Sequence, residues 1–226
     1  MIKDNITTIL QSVREASGGD EVTLVAVTKR RSVEEIQQVY DAGIRDMGEN
    51  RVQEWRDKHP ALPEDIRWHL IGHLQTNKVK YLIGKVYLIH SVDSVRLAEE
   101  IAAQSVKKGV QTNVLLQINI AREEQKSGFD IEEIFDAAEM ISQMPGLGVK
   151  GLMCMAPFEA EGAALEGYFT KMAEIFREMK LLYKEKSGII EHNVDMKYLS
   201  MGMSGDYLTA IRCGANVVRI GTAIFV

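Results

Sequence analysis

The residue best suited to covalent chemistry is Lys29, which ends an otherwise apolar run over residues 22–29. The run has the composition of a strand buried on both faces, and a lysine is seldom buried without a partner. In parallel α/β folds, ligands bind at the carboxyl ends of the strands. A lysine amine at such a position can form an imine with a carbonyl group, and the alternative is an ordinary solvated lysine.

Two glycine-containing turns near the C-terminus have the character of a phosphate site. Residues 202–206 (GMSGD) open a predicted helix, where backbone N–H groups and the Ser204 hydroxyl can donate to an anion. Gly221 permits a close backbone approach after the last strand, and Thr222 adds a hydroxyl. Taken alone, Ser204 is more simply a helix cap. We favour a phosphate site because the turns follow the seventh and eighth predicted strands, where barrels often bind phosphate.

An imine-forming lysine beside a phosphate site suits either pyridoxal 5′-phosphate (PLP) or a Schiff-base aldolase with a phosphorylated substrate. Arg219 bears on this choice because it lies inside the last strand and cannot lose its proton. It forms either a buried ion pair, for example with Glu49, or a contact with a pyridine nitrogen. In the second case it keeps that nitrogen unprotonated.

Strand patterns alternate with helical patterns along the whole chain, which indicates parallel βαβ units. This number of strands predicts one (β/α)8 TIM-type barrel domain over residues 1–226, with an extra N-terminal helix over residues 2–16. An open doubly wound sheet is the alternative, but no G-x-G-x-x-G motif follows the first strand. The predicted strands cover residues 22–29, 44–47, 66–71, 86–90, 113–118, 149–153, 197–201 and 217–220.

The composition excludes several classes of protein. A formal net charge of −5 argues against a general nucleic-acid or anionic-membrane partner. No segment reaches the roughly 18 consecutive apolar residues of a membrane span, and the N-terminus lacks the apolar core of a signal peptide. The 2 cysteines, Cys154 and Cys213, have no metal-ligand spacing, so we expect a reducing, cytoplasmic setting.

The sequence resembles the pyridoxal phosphate homeostasis protein family over nearly its whole length, with the motifs in the same order. The motifs that carry the resemblance are VAVTK (25–29), GENRVQE (48–54), WHLIGHLQTNK (68–78), KSG (126–128), GLM (151–153), LSMGMSGD (199–206) and VRIGTAIF (218–225).

The resemblance implies a single barrel similar to the N-terminal domain of alanine racemase, with PLP held as an internal aldimine on Lys29. The implied role is to bind PLP and to influence vitamin B6 and amino-acid or keto-acid balance, without robust turnover. Arg219 is implied to lie near the pyridine nitrogen. The other residues implied to contact the cofactor are Asn50, Ser200, Met201, Ser204, Gly221 and Thr222.

A racemase needs acid–base groups on both faces of the substrate Cα. Bacterial alanine racemases supply one of them, a tyrosine, from a second β-rich domain, and this chain leaves no residues for such a domain. We therefore expect a PLP-binding protein in which Lys29 anchors the cofactor, with weak racemase or aldolase activity as the alternative. The expected partners are PLP and PLP-dependent apo-enzymes, and a monomer is favoured because no second domain shares the site.

Overall fold

Eight parallel strands close into a barrel in which each strand pairs with the next along the chain and β1 pairs with β8. The predicted (β/α)8 architecture is therefore confirmed. The strands are β1 Thr23–Val27, β2 Asp46–Glu49, β3 Arg67–Leu70, β4 Leu88–Val92, β5 Thr112–Ile118, β6 Leu147–Cys154, β7 Val194–Ser200 and β8 Val217–Ile220.

This computed structural model describes residues 1–123, 127–187 and 192–226. Lys126, which belongs to one of the motifs quoted above, lies outside the described residues.

Helices surround the barrel, and the first of them is the extra N-terminal helix predicted from its apolar spacing. That helix buries Ile6, Ile9 and Val13 on one face. The α-helices are α1 Ile2–Ala16, α2 Val33–Asp41, α3 Val52–Lys58, α4 Val95–Lys108, α5 Ile134–Ser142, α6 Gly162–Lys186, α7 Tyr207–Arg212 and α8 Thr222–Phe225.

The structure differs from the sequence-based expectation in the bounds of several strands: β2, predicted over residues 44–47, covers Asp46–Glu49, and β7, predicted over residues 197–201, covers Val194–Ser200. The connection from β3 to β4 forms a 3₁₀ helix over Thr76–Tyr81. The residues after the last strand form the short helix α8. Strand β1 ends at Val27, two positions before Lys29, so the lysine belongs to the loop that follows.

The strands sort their side chains between the barrel interior and the layer beneath the helices, because successive residues of a strand point to opposite faces. Val218 and Ile220 belong to the main apolar core shared with the helices, which leaves Arg219 between them facing inward. A separate small cluster of Leu88, Leu115 and Met153 fills part of the interior. Polar groups therefore share the inside of this barrel with apolar ones.

Within the described residues, no helix combines the length and the apolar character that crossing a bilayer requires. The same part of the chain holds no grouping of His, Cys, Asp and Glu side chains suited to a metal ion.

Candidate cofactor site

A cavity of about 650 Å³ opens at the carboxyl ends of the strands, where the ends of β1, β6, β7 and β8 meet. Lys29, Ser204, Arg219, Gly221 and Thr222, all singled out from the sequence, line this one cavity. The closed barrel explains their convergence, because β8 lies between β7 and β1. The loop after β6 forms the opposite wall, which the sequence reasoning missed, with Ala156, Pro157, Phe158, Ala160 and Glu161.

Lys29 is exposed and follows a rigid attachment point at Thr28, which is fully buried. The Thr28 amide donates to the Gly48 carbonyl at 2.9 Å, and its hydroxyl donates to Oε1 of Glu49 at 2.6 Å. The ammonium of Lys58, on α3, donates to the Thr28 carbonyl at 3.0 Å. The backbone that carries the Lys29 side chain is thus fixed by β2 and α3.

Glu49 is a buried carboxylate whose partner is Lys58, with Nζ and Oε1 separated by 2.9 Å. The ion pair with Arg219 that was considered as an alternative is therefore wrong. Burial raises the pKa of Glu49, although the hydrogen bonds from Thr28 and Lys58 act against that rise. Its second carboxylate oxygen, Oε2, is buried and has no hydrogen bond from the part of the chain that the structure describes. Glu49 thus supports the β1–α2 loop from outside the barrel and does not enter the cavity.

The two turns proposed for phosphate binding are joined by Ser204. Its hydroxyl oxygen accepts the backbone N–H of Gly221 at 3.2 Å and that of Ala223 at 3.4 Å. Gly221 packs against β1 so closely that a Cβ atom there would lie 3.2 Å from the Cβ of Val27. A side chain at this position would press on the strand below the cavity, so glycine keeps the backbone close to it.

Arg219 is only 4% exposed, and its guanidinium lies at the base of the cavity. Its Nη1 donates to the Ser200 hydroxyl at 2.6 Å, and its Nη2 donates to the Cys154 carbonyl at 2.9 Å. Burial lowers the pKa of the guanidinium, and Asp206 on the cavity wall opposes that effect. Among the described residues, no carboxylate lies within 4.0 Å of it. A buried cation with no carboxylate partner favours an electron-rich ligand in the cavity.

The structure does not place the three remaining candidate residues on the wall of this cavity. Ser200 is fully buried beneath Arg219. Met201 is also buried and joins the core beneath the helices, because it points to the opposite face from Ser200. Asn50 lines a different hollow, and its backbone lies so close to Gly72 that a Cβ on Gly72 would be 2.3 Å from the Asn50 carbonyl oxygen.

Two buried histidines, His69 and His90, lie in the barrel interior beneath this site, and the sequence reasoning assigned neither a role there. His90 contacts Ser200, and His69 contacts His90. Burial lowers the pKa of both imidazoles, so both are neutral near pH 7. The sequence does carry a sign of this buried placement, because both histidines lie in short strands. His69, for example, lies between Trp68 and Leu70, which are both buried.

The cavity fits PLP in size and in chemistry. Its volume lies within the range of roughly 300–1,000 Å³ typical of small-molecule sites. It offers a lysine amine for the aldehyde, hydroxyls and backbone at two adjacent turns for the phosphate, and a buried donor for the ring nitrogen. These groups come from separate segments of one chain, so the arrangement depends on the fold.

Comparison with known proteins assigns the chain to a family. The family model for the alanine racemase N-terminal domain matches residues 2–226. The pyridoxal phosphate homeostasis protein of Aquifex aeolicus is 40% identical over 219 residues, which are 96% of this chain and 92% of that protein. The structure of PipY from Synechococcus elongatus PCC7942 with PLP bound superposes with a TM-score of 0.86 at 30% identity, covering 100% of both chains.

The alanine racemase of Streptomyces coelicolor shares the fold with a TM-score of 0.73, at 21% identity. This chain covers 57% of that racemase, so the likeness concerns the barrel alone. With the family model matched over almost every residue and full-length relatives well above 30% identity, the chain belongs to the alanine racemase N-terminal domain family and, within it, to the pyridoxal phosphate homeostasis proteins.

Proposed function

We propose that this protein binds PLP in the cavity at the carboxyl end of the barrel and serves in PLP homeostasis. The observation that carries the proposal is the convergence of Lys29, Ser204, Thr222 and the buried Arg219 on one cavity. The relatives named for this role, and PipY with PLP bound, support it.

Each residue has a distinct task in the proposal. Lys29 would hold the cofactor covalently, and Ser204, Gly221 and Thr222 would bind its phosphate. Arg219 would donate a hydrogen bond to the pyridine nitrogen. Because an arginine keeps its proton, that nitrogen would stay unprotonated. Bound PLP supplies an aldehyde carbon that condenses with amines and a ring that withdraws electrons, and an unprotonated ring withdraws them weakly.

We propose supporting roles for the other three residues, Asn50, Ser200 and Met201. Ser200 would support Arg219 through the hydrogen bond between them. Asn50 would border the cofactor from the hollow that it lines. Met201 would act only by packing β7 against the helices.

We propose that the protein has no robust catalytic turnover. The titratable groups that line the described cavity are Lys29, Glu161, Asp206 and Arg219. The Asp206 carboxylate accepts the Met203 amide, and Glu161 belongs to the exposed loop. Lys29 follows the end of a strand on a fixed backbone, and neither of these carboxylates is placed in that way. Two-base racemisation needs a second acid–base group held in position, in addition to the lysine. Deuterium exchange at the Cα of alanine would detect weak racemase activity.

We propose that PLP is released to apo-enzymes through the mouth of the cavity. Lys29 is exposed, and Phe158 on the rim is 99% exposed. We propose a monomer of a single domain over residues 1–226, since one closed barrel supplies every residue of the site. A cytoplasmic setting is proposed from the two free cysteines, Cys154 and Cys213.

Reductive trapping tests the function. The protein is mixed with PLP, reduced with borohydride and digested, and the peptides are mapped by mass spectrometry. We expect a pyridoxyl phosphate group on Lys29 and none at this position in Lys29→Ala. Modification spread over several exposed lysines would contradict the proposal. A sugar phosphate trapped on Lys29 from a mixture of sugar phosphates would instead establish the aldolase alternative.

A further inference from the structure

We propose that Asp46, His69, His90 and Ser200 form a directional hydrogen-bond relay through the barrel interior that positions Arg219 from the opposite end of the barrel. These residues would act as positioning residues for cofactor binding and not as catalytic ones. The proposal rests on the proposed function, because its effect is on the residue that faces the ring nitrogen.

The relay is continuous in the structure. Nη1 of Arg219 lies 2.6 Å from the Ser200 hydroxyl, which lies 2.9 Å from Nδ1 of His90. Nε2 of His90 lies 2.8 Å from Nδ1 of His69. Nε2 of His69 lies 3.0 Å from Oδ1 of Asp46. Each separation is short enough for a direct hydrogen bond, so no water is needed to complete the chain.

The relay joins two hollows at opposite ends of the barrel. Arg219 lines the cavity at the carboxyl ends of the strands. Asp46 and His69 line a hollow of about 230 Å³ at the amino ends, together with Arg67 and Tyr87. Asp46 opens β2, and its outer oxygen accepts the Arg67 guanidinium at 2.5 Å. One end of the relay therefore meets solvent far from the cofactor cavity.

The members of the relay are almost completely buried. Ser200 and His90 are fully buried, and His69, Arg219 and Asp46 are 2%, 4% and 6% exposed. In a low-dielectric interior, hydrogen bonds polarise one another and an unpaired polar group is costly. Four polar residues on different strands are therefore expected to be retained here only as a fully satisfied set.

The groups at the two ends of the relay fix the direction in which every hydrogen bond between them is donated. A guanidinium only donates, and an ionised carboxylate only accepts. His69 therefore donates from Nε2 to Asp46 and accepts at Nδ1 from Nε2 of His90. His90 then accepts at Nδ1 from the hydroxyl of Ser200, whose oxygen accepts Arg219. Each group has a matching partner when both imidazoles are neutral with the proton on Nε2, which agrees with their lowered pKa values.

The consequence is that Asp46 acts on Arg219 through a row of hydrogen bonds. With no carboxylate within 4.0 Å among the described residues, the guanidinium donates to the Cys154 carbonyl and to the Ser200 hydroxyl, and the second contact begins the row of neutral groups that donate toward Asp46. Two of its N–H groups are fixed by Ser200 and by the Cys154 carbonyl, which orients the remainder toward the cavity. Loss of the carboxylate weakens the polarisation and loosens the donor meant for the ring nitrogen.

The test compares Asp46→Asn with Asp65→Asn in the full chain. Asp65 is a matched control because it accepts Arg45 at 2.9 Å in a second arginine–carboxylate pair, which lies outside the relay. We expect the Kd for PLP to rise at least about fivefold in Asp46→Asn, the lower end of typical coupling between sites, and less than about twofold in Asp65→Asn. Equal Kd values in the two folded variants would overturn the proposal.

Nitrogen-15 NMR of the PLP-free wild-type protein near pH 7 provides a second readout that depends neither on Asp46→Asn nor on the cofactor. We expect His69 and His90 as neutral imidazoles protonated on Nε2, assigned with His69→Gln and His90→Gln. An imidazolium, or a proton on Nδ1 of either residue, would overturn the relay even if Asp46→Asn fails to fold. A wild-type protein that binds no PLP would refute the proposed function, while the NMR result would still decide the relay.

Discussion

The backbone N–H of Arg30 donates to Oε2 of Glu54 at 2.8 Å, immediately after the residue proposed to anchor PLP. Arg30 has a φ of 60°, a left-handed conformation that is uncommon outside glycine. Glu54 also accepts Lys58 at 3.3 Å, and Lys58 in turn holds the Thr28 carbonyl. Side chains of α3 therefore fix the backbone on both sides of Lys29.

We predict that Glu54→Ala weakens PLP binding several-fold and lowers the free energy of unfolding by about 1–2 kcal/mol. The reason is the loss of a charge-assisted hydrogen bond that holds a strained residue. Calorimetric titration with PLP and urea unfolding measure the two effects. Exposed Glu64→Ala is the control and should change neither. Wild-type affinity in Glu54→Ala would show that the loop keeps its conformation without this contact.

Ser204→Ala is predicted to weaken PLP binding about tenfold, since it removes both a proposed phosphate donor and the link between the two turns proposed to bind phosphate. The matched control is Ser12→Ala, because the Ser12 hydroxyl donates back to the Thr8 carbonyl within α1, away from the cavity. Inorganic phosphate should compete with PLP for the wild-type protein and compete less well for Ser204→Ala. Equal competition in the two proteins would argue that phosphate binds elsewhere.

Asp46 gives the protein a specific acid sensitivity. Burial alone would raise the pKa of this carboxyl, but the hydrogen bonds from Arg67 and His69 outweigh burial and bring the pKa to about 2. The unfolded value is about 3.9, so the folded state favours the carboxylate. The Asp46 carboxylate therefore adds on the order of 2–3 kcal/mol to the free energy of unfolding. This stabilisation is complete above about pH 5 and is lost as the pH falls toward 2.

We therefore predict that the free energy of unfolding decreases between about pH 5 and pH 2 more steeply in the wild-type protein than in Asp46→Asn. Urea unfolding at a series of pH values measures the slopes. Asp20→Asn, at an exposed position, serves as the control. Parallel slopes for wild type and Asp46→Asn would mean that this carboxyl titrates with its ordinary pKa in the folded state.

Asn5 connects the N-terminal helix to α8 at the other end of the chain. Its amide nitrogen donates to the carbonyls of Ile224 at 3.0 Å and Val226 at 2.9 Å. We predict that Asn5→Ala lowers the free energy of unfolding by about 1–2 kcal/mol and weakens PLP binding, because α8 begins at Thr222. Asn77→Ala, at an exposed position, is the control for both measurements. Unchanged PLP affinity in Asn5→Ala would show that the contact from α1 does not influence PLP binding.

The barrel and the convergence of the site were predictable from the sequence for a physical reason. Apolar runs that alternate with helical patterns specify parallel strands, and barrel closure brings the seventh, eighth and first strands together. Residue type and strand number were then enough to bring Lys29, Ser204, Arg219, Gly221 and Thr222 to one cavity.

The partners of these residues were not predictable, because they depend on strand register and on helix placement. His69 pairs in register with Leu88, and only that offset brings its ring to His90. Lys58, and not Arg219, pairs with Glu49 because α3 packs over β2. The period of two does show that neighbours such as Ser200 and Met201 face opposite ways, so both could not line the cavity.

The most direct test of the central claim is the visible absorption spectrum of the purified protein after addition of PLP and removal of the excess. We predict a yellow protein with a visible band from PLP bound covalently to Lys29. We predict no such band in Lys29→Ala and an unchanged band in Lys85→Ala, which replaces another exposed lysine. A colourless wild-type protein, or an equal band in Lys29→Ala, would contradict the claim that Lys29 anchors PLP in this barrel.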